Sequence, residues 1–330
     1  MTGVADDMHK ELHMHSLRFE RLLVSMLLGA VVFAADTAFA TGIAVAAVPS
    51  PHARPAPAPT YATPQIAVDA LVAAVRASDL GAMLRILGPG SRKLVESGDA
   101  VADAQGRTRF IAAYDAHAEI EEGEGKATLL IGEKDWPFPV PLTKSARGWS
   151  FDSVSGAREF LDRRIGRNEL SAIQVCLAYV DAQREYAATA GADGGVHQYA
   201  RKFSSSAGQR DGLYWRTADG AKSSPLGPLV AKAQAEGYDK QPYHGYYYRI
   251  LLAQGPGADS GAYDYIVKGR MIGGFALIAY PAGWGSSGVM TFIVNQDGVV
   301  YEKNLGPRTS ALATAIHRFD PDATWRKAGL

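Results

Sequence analysis

Residues 243–306 constrain the fold most. They read His244-Gly245-Tyr246-Tyr247-Tyr248-Arg249-Ile250, then Gly274-Phe275-Ala276-Leu277-Ile278-Ala279-Tyr280-Pro281, then Thr291-Phe292-Ile293-Val294-Asn295 and Gly298-Val299-Val300-Tyr301. Each run is short, rich in aromatic and β-branched residues, and bounded by glycine or proline, the pattern of strands joined by tight turns. Gln296-Asp297-Gly298 predicts a hairpin between 289–295 and 299–303. An antiparallel sheet is therefore expected. None of these segments carries a recognisable catalytic constellation.

Upstream, Thr63 is a good N-cap and Pro64 suits the first helical position, with Val68, Leu71, Val72 and Val75 at helical spacing behind them. Asp79 can cap a second helix with Leu80, Met83, Leu84 and Leu87 on one face, stopped by Gly88-Pro89-Gly90. Phe110, Ile111 and Tyr114 suggest a further short helix. Strands follow at 127–131, at the alternating Phe138, Val140 and Leu142, and at Trp149 and Phe151. Helices followed by an antiparallel sheet make an α+β unit, which in element order resembles the cone-shaped folds related to nuclear transport factor 2. A helix is expected over 158–165. Asn168 is expected to cap a second, long one reaching about Ala190, with Leu170, Ile173, Leu177 and Val180 as its apolar stripe. The glycine-, serine- and proline-rich residues after it carry Tyr214 and Trp215, which need burial, so they read as an ordered, irregular connection.

The chain has 330 residues, enough for two domains, and its 34 Lys plus Arg balance its 34 Asp plus Glu. That balance leaves no basic footprint for nucleic acid. Arg18 and Arg21 precede an apolar run over 22–35 that Asp36 ends, and Ala38-Phe39-Ala40 offers a small-residue cleavage site. The run is shorter than the ~20 residues of a membrane span. It reads as an export signal, with Met8 and Met14 as alternative starts, and implies a periplasmic or extracellular protein without a transmembrane helix in the mature chain. No cysteine near the cleavage site invites lipid attachment. Cys176 is the single cysteine, so no internal disulfide can form, and it reads as an apolar filler. The organisation expected is a signal over 1–40, a Pro/Ala-rich linker over 41–62, an N-terminal α+β domain over 63–166, and a second domain over 167–330 in which a long helix packs on an antiparallel sheet.

Chemistry is harder to find. Gly283-Trp284-Gly285-Ser286-Ser287-Gly288 fits G-x-G-x-x-G by letter, but a strand follows it where a dinucleotide site needs a helix N-terminus. Ser286, Ser287 and His244 are hydrolase material without a nucleophile elbow. His117, Glu119 and Glu121 would share one strand face, at a spacing that matches no common metal site. No cofactor or metal is expected. Trp284, in a loop whose glycines do not guarantee its burial, joins Tyr243 and His244 as the candidate ligand- or partner-binding group.

The order of the long helix, Gly245-Tyr246-Tyr247-Tyr248, Ala279-Tyr280-Pro281, the Gly-Ser-Ser-Gly loop and Phe292-Ile293-Val294-Asn295 resembles the globular heads of type IV pilins and pseudopilins. The charged Phe160-Leu161-Asp162-Arg163-Arg164-Ile165-Gly166 replaces the apolar, membrane-embedded helix half of a pilin. Four segments, the octapeptide from Arg163 to Leu170, Asp211-Gly212-Leu213-Tyr214-Trp215, the octapeptide from Tyr243 to Ile250 and Gly288-Val289-Met290-Thr291-Phe292, carry a second resemblance. Through them the chain, over its mature length, resembles an uncharacterised bacterial secreted family, domain of unknown function 2950. It implies an exported bacterial protein and no activity. The leading expectation is a non-enzymatic envelope protein acting in interaction or assembly, with an envelope protein as its partner. The alternatives are a secreted hydrolase with a site between the domains, and a small-ligand binder using a pocket in the N-terminal domain. An open apolar hole in the first domain would favour the binder, and converging His, Asp and Ser side chains between the domains the enzyme.

Overall fold

Thr63 and Pro64 start the first helix as their chemistry predicts: the Thr63 hydroxyl accepts the Ile66 N–H at the head of α1 (Pro64–Arg76). The computed structural model describes residues 58–329 apart from 190–191, 194–195, 219–220 and 241, so the expected signal and most of the linker lie outside the described residues. The end of the linker is ordered by pairing, since Tyr61 and Trp149 exchange two backbone hydrogen bonds of 2.8 Å. Asp79 caps α2 (Leu80–Leu87), which ends at Gly88 with a positive φ of 78°. A single turn, α3 (Arg92–Val95), leads to α4 (Ala100–Ala116), capped by Asp99. The short helix expected near Phe110 is thus 17 residues long. Its apolar residues form no stripe, so periodicity found only its end.

Strands β1 (Ala118–Gly123), β2 (Lys126–Ile131), β3 (Trp136–Pro137), β4 (Leu142–Ser145) and β5 (Gly148–Phe151) form an antiparallel sheet of order β1-β2-β4-β5, with β3 also on β2. The alternation Phe138, Val140, Leu142 does not make one strand. Pro137, Pro139 and Pro141 remove the donors a ladder needs.

Asp152 caps α5 (Ser153–Ala188), a single helix of 36 residues, about 54 Å long at 1.5 Å per residue. The break expected near 166–168 does not occur. Asn168 is not a cap but lies mid-helix, and residues 166 and 167, the expected domain limit, lie inside α5. The charged turn that reads as a connector is where α5 grips its neighbours. Arg164 donates to the Lys93 and Leu94 carbonyls (2.8 and 2.6 Å), and Asn168 to the Ser287 carbonyl (2.9 Å). Glu169 accepts the Val289 and Met290 N–H groups, both at 2.9 Å. Further along, Ile173, Cys176, Tyr179, Val180, Gln183 and Tyr186 are buried. Leu177 is only partly buried, and Leu170 is 58% exposed. Buried Gln183 is fully used: it donates to the Tyr179 hydroxyl and the Ala200 carbonyl and accepts the Ala200 N–H. Burial also pushes the Cys176 thiol up to about 12, so it packs as an inert filler.

A two-residue hairpin, β6 (Ala192–Asp193) with β7 (Val196–His197), and helix α6 (Gly227–Ala235) precede the second sheet. That sheet begins with β8 (Tyr246–Leu251). Two small hairpins follow, β9 (Ala253–Gln254) with β10 (Tyr263–Asp264), and β11 (Ile266–Val267) with β12 (Arg270–Met271). Next come β13 (Ala276–Pro281), β14 (Met290–Asn295), β15 (Tyr301–Asn304), α7 (Thr309–Ala315) and β16 (Arg326–Lys327). The second sheet is antiparallel in the order β16-β15-β14-β13-β8. Residues Ala276 to Ala279 of β13 are all buried, although side chains alternate faces along a strand. Both faces are therefore covered, and both α5 and α7 pack on β13. The buried apolar residues fall into two clusters, one built from residues 67–151 and the other from 172–319. Phe160 and Leu161 of α5 pack on the first, and Ile173 to Tyr186 belong to the second. The fold is mixed α+β. Among the described residues no helix is long and apolar enough to cross a membrane.

Candidate functional site

Helix α4 carries Phe110, Ile111 and Tyr114 against the first core, yet none of its residues is fully buried. The reason is an open space beneath it. A cavity of about 1130 Å³ lies between α1, α2, α4, the first half of α5 and the first sheet, somewhat above the roughly 300–1,000 Å³ usual for ligand pockets. Ala102, Gly106, Phe110 and Ala113 line it from one face of α4, as their i, i+4 and i+3 spacing requires. Its apolar wall includes Leu71, Val75, Met83, Ile131 and Phe138, with Phe110 packed on Phe138 at 5.3 Å between ring centroids. Asp103, Arg107, Arg164, Arg167, Asn168 and His244 line another part. Trp136 and Leu170, 40% and 58% exposed, are large apolar residues on its open edge.

Gly106 is the telling residue. A glycine inside a helix is about 1 kcal/mol less favourable than alanine, and a close neighbour is the common reason for one. Here a Cβ would meet no heavy atom within 4 Å. The missing side chain widens the lumen and serves no packing contact.

The N-terminal half of α4 is tied to the loop that precedes β8. Asp99, 1% exposed, caps the helix and also accepts the Tyr238 hydroxyl at 2.9 Å and the Gly245 N–H at 2.7 Å. Gln105 donates to the Glu236 carbonyl at 2.6 Å. Tyr243 and Tyr246 exchange backbone hydrogen bonds around His244 and Gly245, whose φ values of 49° and 76° are the positive pair a type I′ turn demands. The His244 ring meets the Glu236 carboxylate at 2.9 Å. The Tyr243 hydroxyl donates to the same carboxylate, and burial together with Glu236 pushes it up to about 12. Burial, followed by Asp99, also raises the Tyr238 hydroxyl.

Of the three candidate binding residues, Tyr243 and His244 meet edge to face at 4.2 Å, and His244 lines the cavity. Trp284 lies in the 283–288 loop with partners of its own: its Nε1 donates to Asn304 at 2.9 Å and Lys93 sits 5.9 Å over its ring. The serines of that loop are committed to backbone. Ser286 donates to the Ser97 or Gly283 carbonyl, and Ser287 to Gly283, while His244 is turned to Glu236. The G-x-G-x-x-G letters are an irregular turn in which Gly288 lets Tyr246 approach; a Cβ there would stand 2.2 Å from its hydroxyl. His117 ends α4 and faces Asp135 at 3.2 Å. Among the described residues no group of three His, Cys, Asp or Glu side chains could hold a metal ion.

A family model for a protein of unknown function, DUF2950, matches residues 58–328. The chain belongs to the DUF2950 family. No curated protein and no solved structure matches it. The resemblance to pilin heads is not confirmed. The segments that point to DUF2950 have legible structural roles in this chain. Arg164, Asn168 and Glu169 pin α5 to loops on either side, Leu213 is fully buried, and 243–246 is the turn that meets Asp99. Sequence reasoning missed the cavity arginines on α4 and α5. The signals available were a glycine in mid-helix and arginines at 164 and 167, one helical turn apart.

Proposed function

We propose that this DUF2950 protein is an exported, non-enzymatic protein that binds a small apolar ligand in the cavity of its N-terminal half. The cavity carries the reading: a space of about 1130 Å³ with apolar walls, lined in mid-helix by an otherwise unexplained glycine. Open apolar volume of this size forfeits packing that a filled core would have, by about 24 cal/mol per Å³ in cavity-forming variants, so an occupant would stabilise the fold. The hydrogen bonds of Ser286, Ser287 and His244 to other groups favour binding over nucleophilic catalysis.

The test uses N-phenyl-1-naphthylamine, a neutral apolar dye that brightens out of water. The protein is expected to bind one dye per chain. Gly106→Trp, which puts a ring into the lumen and removes a helix-weakening glycine, should abolish binding while leaving the melting temperature equal or higher. Dye binding unchanged in Gly106→Trp would place the site elsewhere. Export is checked separately by N-terminal sequencing of protein from the periplasm or medium, where the mature chain should begin between Thr41 and Pro49. Recovery of the full-length chain from membranes would overturn that part.

A further inference from the structure

The cavity sets half-buried basic side chains of α4 and α5 against an apolar wall from α1, α2 and the first sheet, and we infer that it takes a single-chain aliphatic anion, tail first, with its head group against Arg107, an inference that rests on the ligand-binding reading above. Helix α4 sets the direction. Its first half is tied to Tyr238, Gly245 and Glu236 through Asp99 and Gln105. Its second half sits over the sheet, with Phe110 on Phe138 and the Ala113 carbonyl accepting the Gly132 N–H at 3.0 Å. From Ala102 to Ala113 the lining face runs about 16 Å at the helical rise. Leu71, Val75, Met83 and Ile131 line the cavity from α1, α2 and β2.

The charges near the start of α4 do not balance. Asp103 spends both carboxylate oxygens on the Ser97 N–H, at 3.2 and 3.0 Å. Arg164 is engaged with two backbone carbonyls; burial lowers its affinity for a proton, Asp103 opposes that effect, and nearby Arg167 adds to it. His244 is turned to Glu236. Arg107 is half-buried on the cavity wall and, among the described residues, its side chain makes no hydrogen bond or ion pair. The other charged lining residues, Arg109, Glu133 and Lys134, are exposed, so water already solvates them. The unmet demand is therefore for an anion beside Arg107 and for hydrocarbon along the apolar wall. A half-buried guanidinium gains most from a carboxylate or phosphate that satisfies its fork of donors. A neutral chain leaves it uncompensated, a cationic one is repelled, and an anion without a tail leaves the apolar wall of Leu71, Met83 and Ile131 uncovered. Trp136 and Leu170 on the open edge suit the passage of a chain.

The experiment is displacement of N-phenyl-1-naphthylamine from the full chain by ligands of one chain length, each below its critical micelle concentration or solubility limit. Dodecanoate should compete about ten-fold more tightly than dodecanol, and dodecyltrimethylammonium more weakly than either, the difference of one charge-assisted hydrogen-bonded pair. Arg107→Gln should weaken dodecanoate about ten-fold and dodecanol less than two-fold, with an unchanged melting temperature because Arg107 supports no other residue. A lysophosphatidylglycerol arm separates the sources. Competition by dodecanoate alone assigns a free fatty carboxylate, and competition by both assigns an acyl anion of either kind. Equal affinity for dodecanol and dodecanoate, or an equal effect of Arg107→Gln on both, overturns the anion assignment and leaves the apolar cavity standing. No binding of the dye or of any chain overturns both.

Discussion

Gly156→Ala should lower the melting temperature of this protein by several degrees, and Gly166→Ala, further along the same helix, should raise it. Both glycines lie in α5, where alanine is intrinsically better by about 0.8–1.0 kcal/mol, so propensity alone predicts two stabilised variants. Packing reverses the first. A Cβ at Gly156 would stand 2.2 Å from the Pro139 carbonyl oxygen and 2.7 Å from the Val140 Cα. These are backbone atoms that no rotamer change can move, in the segment where prolines stand in for a strand. Overpacking of this kind costs about 1–3 kcal/mol or more, which exceeds the propensity gain and pushes the start of α5 off the first core. At Gly166 a Cβ would meet nothing within 4 Å, and the helix continues on both sides. The gain there should appear nearly whole, as roughly 2–4 °C for a protein of this size class. Thermal unfolding followed by circular dichroism at 222 nm reads both. A destabilised Gly166→Ala would mean that the chain breaks there, as the local sequence suggests, and that α5 is two helices.

The break expected near residue 166 shows which kind of information the sequence withholds. Thr63, Asp79 and the Gln296-Asp297-Gly298 turn act through neighbours a few residues away, and each is found where its local chemistry places it: two N-caps, and a turn in which Gly298 donates to the Asn295 carbonyl. Arg164, Asn168 and Glu169 act through partners more than sixty positions distant. Arg164 reads as a charged, helix-ending turn until the carbonyls of Lys93 and Leu94 are in view, and Asn168 reads as a cap until Ser287 is. Leu170 belongs by period to the core stripe, yet it falls where α5 leaves one core and has not entered the next, so it lines the cavity. The cavity itself was legible only as a possibility of the fold. Its walls come from many separate segments, and an unfilled volume leaves no period in a chain. Tyr243 and His244 could be picked out as polar aromatics at a turn, but Glu236 and Asp99, which fix that turn, have ordinary surroundings in the sequence.

Asp99→Ala should be among the most damaging single substitutions in the chain, because one carboxylate serves three donors from different parts of the fold. It caps α4 through Ala102, holds the Tyr238 hydroxyl that follows α6, and closes the turn before β8 through Gly245. Loss of an N-cap costs about 0.5–2 kcal/mol. The two further donors, left in a site that water does not reach, add about 1–3 kcal/mol each. Their sum, about 3–5 kcal/mol after allowing for relaxation, is a large part of the 5–15 kcal/mol that keeps a domain folded. Asp99→Asn should fall between, because an amide oxygen can still cap α4 while its NH₂ group meets a donor where an acceptor is needed. Urea unfolding gives both values, and a double-mutant cycle with Tyr238→Phe isolates the hydroxyl bond. Coupling above about 0.5 kcal/mol is expected for groups in direct contact. The same substitution loosens the first half of α4, which leads to Arg107, so dye binding should weaken together with stability, whereas Arg107→Gln weakens only the anion. A cost below about 1 kcal/mol for Asp99→Ala, within the ordinary range of surface positions and single caps, would show that this carboxylate does not join α4 to the turn before β8, and the polar side of the cavity would lose the support that holds it in place.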